Sequence, residues 1–270
     1  MSAGGFSHKT LVGNFVEAVE LEEAQIKEHL ERKKQGTLQL GKMHSRLASS
    51  LQAVPLTMAN RSVHVGDQVM LYNHEAKSSL ACDVTEDIGN ADQPLFAVTC
   101  SQDNNAYTRS VFTIETYRKN QIDYDDNEFL HYGEGFHFVT HSQLTGKKYY
   151  LWSVPVGTLY QSKITQRQMV ALSPKPDWNT VWQVLPLRPM DRAGLEGDPV
   201  PVNDKIVINH CATNRHLNSG ATIHRTLFGL EHEIVCETSL DLHKAPRAEN
   251  QWHFVQDTSS PDAIAQPEPL

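Results

Sequence analysis

The sequence predicts a mostly β protein: three copies of a four-strand unit behind an N-terminal helical arm. Two observations predict it. The pattern Gly or Asn, acid, any residue, then alternating apolar residues occurs three times. The copies are Gly66-Asp67-Gln68-Val69-Met70-Leu71, Gly133-Glu134-Gly135-Phe136-His137-Phe138 and Asn203-Asp204-Lys205-Ile206-Val207-Ile208, with starts 67 and 70 residues apart. The second observation is a set of large aromatics, Phe112, Trp182 and Trp252, spaced 70 and 70 residues apart. Equal spacing at two independent landmarks is the signature of an internal repeat.

The elements follow in chain order. Residues 1–55 differ in texture from the rest. Glu17, Glu20, Glu22, Glu23, Glu28 and Glu31 run into Arg32, Lys33 and Lys34. Acids early and bases late complement a helix dipole. Asn14 is the expected N-cap and Gly36 the expected stop. Val19, Ile26 and Leu30 share one face, while Leu21 falls away from it. A second helical stretch is expected from Leu38 to Ala53, before Pro55. Together these read as an arm, either docked on a partner or packed on its own domain.

From residue 60 the texture is β, with apolar runs alternating with polar residues and turn formers. Each acid-led strand has one apolar face, which is period-two patterning. A second strand follows and ends near Leu80, Leu151 and Leu217. A third run comes at Phe96-Ala97-Val98, Met169-Val170-Ala171-Leu172 and Ile234-Val235-Cys236. Each copy closes on an aromatic-led strand at Phe112, Trp182 or Trp252. The copies span about 64–117, 131–187 and 201–257.

Three four-strand copies are the layout of a β-trefoil, expected over 60–257. No copy can bury its apolar face alone, so three close around one core. Phe112, Trp182 and Trp252 are the expected anchors of that core, because each large ring buries about 150–250 Å². A three-bladed propeller fits less well, since blades number at least four. Long loops are expected at 84–93, 118–130, 153–166 and 188–199. The Pro-, Ser- and acid-rich tail, 258–270, is expected to be disordered.

Composition narrows the function classes. The chain has 270 residues, 39% hydrophobic and 21% charged, which fits a folded protein and not a disordered one. Its net charge of −8 argues against a general nucleic-acid binder, which carries a basic stripe. No apolar run approaches the roughly 20 residues of a membrane helix, so no membrane partner is expected. The opening residues lack a basic-then-apolar design, and Ser2 stands where myristoylation needs glycine. Cys82, Cys100, Cys211 and Cys236 are dispersed and form no CxxC, so they read as reduced core thiols.

No catalytic motif is present: no GxSxG, no phosphate loop, no dinucleotide fingerprint and no HExxH. His224 with Glu231-His232-Glu233 could suggest a metal, but the spacing is not i,i+4 on a helix and no thiolate joins them. His210 and Cys211 are adjacent, and adjacent strand residues point to opposite faces, which separates a nucleophile from its base. Asp241, His243 and Lys244 form a polar turn. No catalytic residue, cofactor or metal is therefore expected, and the chain reads as a non-enzyme.

Three segments carry a family resemblance. Val12-Gly13-Asn14-Phe15 leading to Leu21-Glu22-Glu23 is one. The others are Ile206 through Leu217, including Asn209, His210, Cys211, Thr213, Asn214 and Arg215, and Leu240-Asp241-Leu242-His243-Lys244 followed by Asn250-Gln251-Trp252. In order and spacing they resemble the cilia- and flagella-associated protein 161 family, from about residue 11 to 257. The resemblance implies MIR-type β-trefoil units. It also implies a microtubule inner protein in the A-tubule lumen of axonemal doublets, bound to α/β-tubulin and neighbouring inner proteins. In that role it stabilises the doublet of motile cilia or flagella. The Val12–Phe15 segment is then a candidate contact of the arm. The alternative reading is a ligand-binding trefoil for glycans or inositol phosphates. Phosphates need converging Arg and Lys, and no cluster of four bases occurs in the β region.

Overall fold

The computed structural model describes residues 8–34, 39–58, 60–89, 93–117 and 128–256. The predicted tail at 258–270 and most of the predicted 118–130 loop lie outside them. The chain forms two compact units, Met1–Leu47 and Ala48–Leu270.

The first unit holds α1 (His8–Lys34) and most of α2 (Gln39–Ser50). Arg32, Lys33 and Lys34 fill the last turn of α1, and Arg32 pairs with Glu28 at 2.6 Å, one turn earlier. The helix begins at His8, so Asn14 lies inside it and is not the predicted cap. A single interior glycine such as Gly13 costs only about 1 kcal/mol relative to alanine, too little to stop a long helix. Phe15, Leu21, Ile26 and Leu30 on α1 are exposed.

The second unit is mostly β. Its strands are β1 (Gln68–Asn73), β2 (Ser78–Asp87), β3 (Phe96–Ser101), β4 (Phe112–Thr116), β5 (Gly135–Thr140), β6 (Tyr150–Ser153), β7 (Gln168–Ser173), β8 (Trp182–Pro186), β9 (Ile206–His210), β10 (Arg215–Thr226), β11 (Gly229–Cys236) and β12 (Trp252–Val255). A short α3 (Arg192–Leu195) lies between β8 and β9. All of these described strands join one antiparallel sheet.

The pairings show how that sheet closes. β1, β4, β5, β8, β9 and β12 pair in that order and return to β1, making a ring of six. The remaining strands form three hairpins, β2–β3, β6–β7 and β10–β11. These meet one another through β3–β7, β7–β11 and β11–β3.

A backbone triangle repeats the spacing of the sequence copies. The Val63 N–H donates to the Val200 carbonyl at 2.9 Å, Leu130 to Val63 at 2.9 Å, and Val200 to Leu130 at 2.8 Å. All three side chains are fully buried. Just beyond the first two corners, Gly66 and Gly133 take φ of +91° and +82°, and Asn203 follows the third at +67°. Gly and Asn tolerate this left-handed region best, which explains why those two residue types lead each copy. The acid after each turn has a local role. Asp67 accepts from the His64 N–H at 2.8 Å, and Glu134 from the His131 N–H at 3.1 Å. In the third copy the matching residue is Pro201, which has no N–H to give.

Phe112, Trp182 and Trp252 are fully buried in one core with Phe136, Phe138 and Phe254. The Trp182 indole N–H donates to the Leu151 carbonyl at 2.8 Å, and that of Trp252 to Leu217 at 3.0 Å. Leu80, Leu151 and Leu217 stand near the starts of β2, β6 and β10, not at strand ends as the apolar pattern suggests. β2 runs on to Asp87 with Cys82 and Val84 still facing the core, and β10 runs on to Thr226 because its ladder with β11 continues past the buried residues around Leu217. Residues 84–87, predicted as loop, are therefore strand.

Candidate docking face

The residues singled out from the sequence do not converge. Val12, Gly13 and Asn14 lie in α1, with side chains outside the described ones, and Phe15 is exposed. In the third-copy motif, the His210 ring is buried against Trp182. Its Nδ1 meets Thr213 Oγ1 at 2.8 Å and its Nε2 meets the Asn179 carbonyl at 2.9 Å. Asn209 Nδ2 donates to Asn214 Oδ1 at 3.1 Å, and Arg215 pairs with His210 across the β9–β10 turn. Asn214 takes φ of +50°, so this motif shapes a tight turn. Cys211 is half-buried, and burial pushes its thiol up to about 12. Burial likewise raises Cys82, Cys100 and Cys236, so these thiols stay protonated at neutral pH. Asp241 accepts from the His243 and Ala245 N–H groups, and Lys244 takes φ of +62°. Among the described residues no group of three His, Cys, Asp or Glu is placed to hold a metal.

The hairpin triplet carries the features that sequence reasoning missed. Arg109 and Glu231 form a buried ion pair across 122 residues, with Nη1 to Oε1 at 2.7 Å and Nη2 to Oε2 at 3.2 Å. The Arg109 Nε–H donates to the Cys82 carbonyl at 3.0 Å, and its guanidinium sits 3.7 Å from the centre of the Phe228 ring. Glu231 also accepts from Thr99 Oγ1 at 2.8 Å and Thr226 Oγ1 at 2.9 Å. Burial alone would raise the Glu231 carboxyl. The Arg109 hydrogen bonds and charge, with Thr99 and Thr226, outweigh it and hold the carboxyl below its usual value. This network ties β10–β11 to the first repeat. Beyond it the hairpin projects, exposing Ile223, Leu227 and Leu230. No local pattern marks Arg109, because Thr108-Arg109-Ser110 reads as an ordinary polar turn and its partner is distant in sequence.

Where the three hairpins meet, a cavity of about 260 Å³ opens. Ala97, Met169 and Ile234 from the three hairpins contribute to its lining, Leu159 and Ile164 add apolar surface, and Glu233 supplies a carboxylate. Such a depression combines apolar surface with placed charged and polar groups, which makes it a candidate docking face.

His216, on β10, is 5% exposed, and burial together with the Arg192 charge holds its ring down to about 4. A histidine kept neutral in the fold supports stability fully above its unfolded value, about 6.5. That support is lost as pH falls from about 6.5 toward 4. Between pH 7.5 and 4.5 the wild type therefore loses about 2 kcal/mol more than His216→Gln in urea unfolding. Parallel pH profiles would refute the assignment.

Comparison with known proteins gives the family and the fold. Residues 42–257 match the family model described as a Cilia- and flagella-associated protein 161-like domain. The chain is 30% identical over 263 residues to Cilia- and flagella-associated protein 161 of Danio rerio, covering 92% of this chain and 87% of that one. It is 29% identical over 273 residues to the protein of the same name from Mus musculus, covering 90% and 86%. In fold it resembles the SDF2-like protein from Arabidopsis thaliana, with a TM-score of 0.54 at 14% identity, covering 72% of this chain and 95% of that one. It also resembles a Caenorhabditis elegans protein of unknown function, with a TM-score of 0.56 at 15% identity, covering 74% and 98%.

Proposed function

Because the chain belongs to the cilia- and flagella-associated protein 161 family, we propose that it is a structural inner protein of axonemal doublet microtubules. In this reading it binds tubulin and neighbouring inner proteins in the A-tubule lumen, stabilises the doublet and performs no catalysis. Family membership over residues 42–257 is the observation that carries the proposal.

We also infer that the β unit is a β-trefoil of MIR type. The six-strand ring, the three mutually paired hairpins and the Val63–Leu130–Val200 triangle all support it. A body closed in this way is rigid, which suits a lattice component that must hold its contacts through bending. Trp182 and Trp252 are fully buried, so neither of these two rings floors an open sugar pocket.

The test is extraction. A tagged copy in demembranated axonemes resists rising salt and leaves only as doublets come apart. Release by detergent or mild salt would overturn the lumenal assignment.

In this reading the arm is a second attachment. Residues 49–57 are bonded into the β unit: Ser49 and Ser50 carbonyls accept from Thr108 and Arg109, and the Val54 N–H donates to Ala106. Deleting residues 1–47 therefore leaves a folded β unit. Linked attachments raise avidity by about 10²–10⁴-fold, so the truncated protein is retained in axonemes at least about tenfold less well. Equal retention would show that the arm is not an attachment device.

A further inference from the structure

The geometry points to the cavity between the three hairpins as a socket for one basic side chain, Arg or Lys, presented by a partner protein.

Size limits the occupant first. About 260 Å³ has room for a single long side chain. The lining matches such a side chain along its length. Met169, Leu159 and Ile164 offer apolar surface for a methylene stem. Charged groups meet the head. The lining includes Glu86, Asp87 and Glu233 against one lysine, Lys163, which pairs with Glu86. That leaves two carboxylates in excess.

Glu233 is the central group. It is 6% exposed and accepts from the Ile164 N–H at 3.0 Å, the Thr165 N–H at 3.3 Å and Thr165 Oγ1 at 2.8 Å. These bonds fix its orientation and supply no positive charge. Among the described residues Glu233 has no ion-pair partner. The contrast with Glu231, two residues away on the same strand and fully paired with Arg109, is direct. An incoming ammonium or guanidinium therefore adds the charge-assisted hydrogen bond that the fold itself does not supply to Glu233. His224 lines the same cavity, and its Nδ1 is buried with no hydrogen bond among the described residues. A neutral imidazole nitrogen there is an acceptor for one guanidinium or ammonium N–H.

Ile223, Leu227 and Leu230 stand exposed on the hairpin that also contributes His224 and Glu233. Ile223 and Leu230 face away from His224 and Glu233 across the β10–β11 pleat, so the case for a protein partner rests on the charge of the socket itself, and an arginine set in such a pocket is a common interface anchor. The lattice reading enters only in naming where such a partner lives, and the socket itself is tested without it.

The experiment titrates the full-length protein with capped tripeptides, acetyl-Ala-Arg-Ala-amide and acetyl-Ala-Lys-Ala-amide, followed by backbone amide shifts. Citrulline and norleucine peptides are the controls. The basic peptides shift amides around Ala97, Ile164 and Glu233, and added salt weakens them. Glu233→Gln, which keeps an acceptor for the Thr165 contacts, lowers affinity by about tenfold. Ala97→Leu fills the cavity and abolishes the shifts while the remaining amide spectrum stays native. Citrulline and norleucine peptides binding as well as the basic ones would overturn the proposal. So would silence of all four. Salt extraction of Glu233→Gln from axonemes is the separate arm. Unchanged peptide binding by wild type with no axonemal incorporation would reject the lattice reading and leave the socket standing.

Discussion

Trp252→Ala lowers stability by about 3–5 kcal/mol in urea unfolding, the cost of deleting a large ring from a packed core. The indole has no exposed surface, and its N–H is spent on the Leu217 carbonyl. Trp252→Phe separates the two contributions. The Leu217 carbonyl keeps a second donor, Asn250 Nδ2 at 2.9 Å, so it is not stranded when the indole N–H goes. The first repeat already uses Phe112 at the equivalent place. Trp252→Phe therefore costs about 1–2 kcal/mol, the value of one hydrogen bond and a little volume. A loss below 1 kcal/mol for Trp252→Ala would mean that this ring is not a core anchor.

The second large effect concerns Arg109. Arg109→Met leaves the Glu231 carboxylate buried without its cation and costs about 3–5 kcal/mol at neutral pH. Adding Glu231→Leu recovers much of that loss, because the remaining charge has gone. The pH dependence follows from the depressed carboxyl of Glu231. Its contribution is complete above the unfolded carboxylate value, about 4.3, and disappears as pH falls through the lower folded value. The gap between wild type and Arg109→Met thus closes in acid. A gap that stays constant from pH 7 to pH 3 would show that the guanidinium acts by packing alone, through Phe228.

These two cases also show what the sequence made legible. The aromatics at 70-residue spacing and the Gly/Asn–acid turns are legible because the three sequence copies share backbone and core demands. The left-handed turn at Gly66, Gly133 and Asn203 is one such demand. The N-terminus of α1 was misplaced because Gly13 and Asn14 look like a start signal but carry too small a penalty to interrupt the helix. The hairpins run further than the sequence pattern suggests because Cys82 and Val84 continue the core face of β2, and the β10 ladder with β11 outlasts its buried residues. The Arg109–Glu231 bridge and the Glu233 cavity were invisible, since each arises from segments far apart in sequence brought together by closure of the sheet. The spacing of His224 and Glu231-His232-Glu233 reads against a metal site, and in the structure Glu231, His232 and Glu233 have separate partners.

The most direct test of the structural reading is electron cryomicroscopy of axonemal doublets from cells with and without this protein. The account predicts density of the size and shape of the twelve-strand β unit inside the A-tubule lumen, present in the first sample and missing from the second. Identical lumenal density in the two samples, or a difference confined to the outer surface, would contradict it.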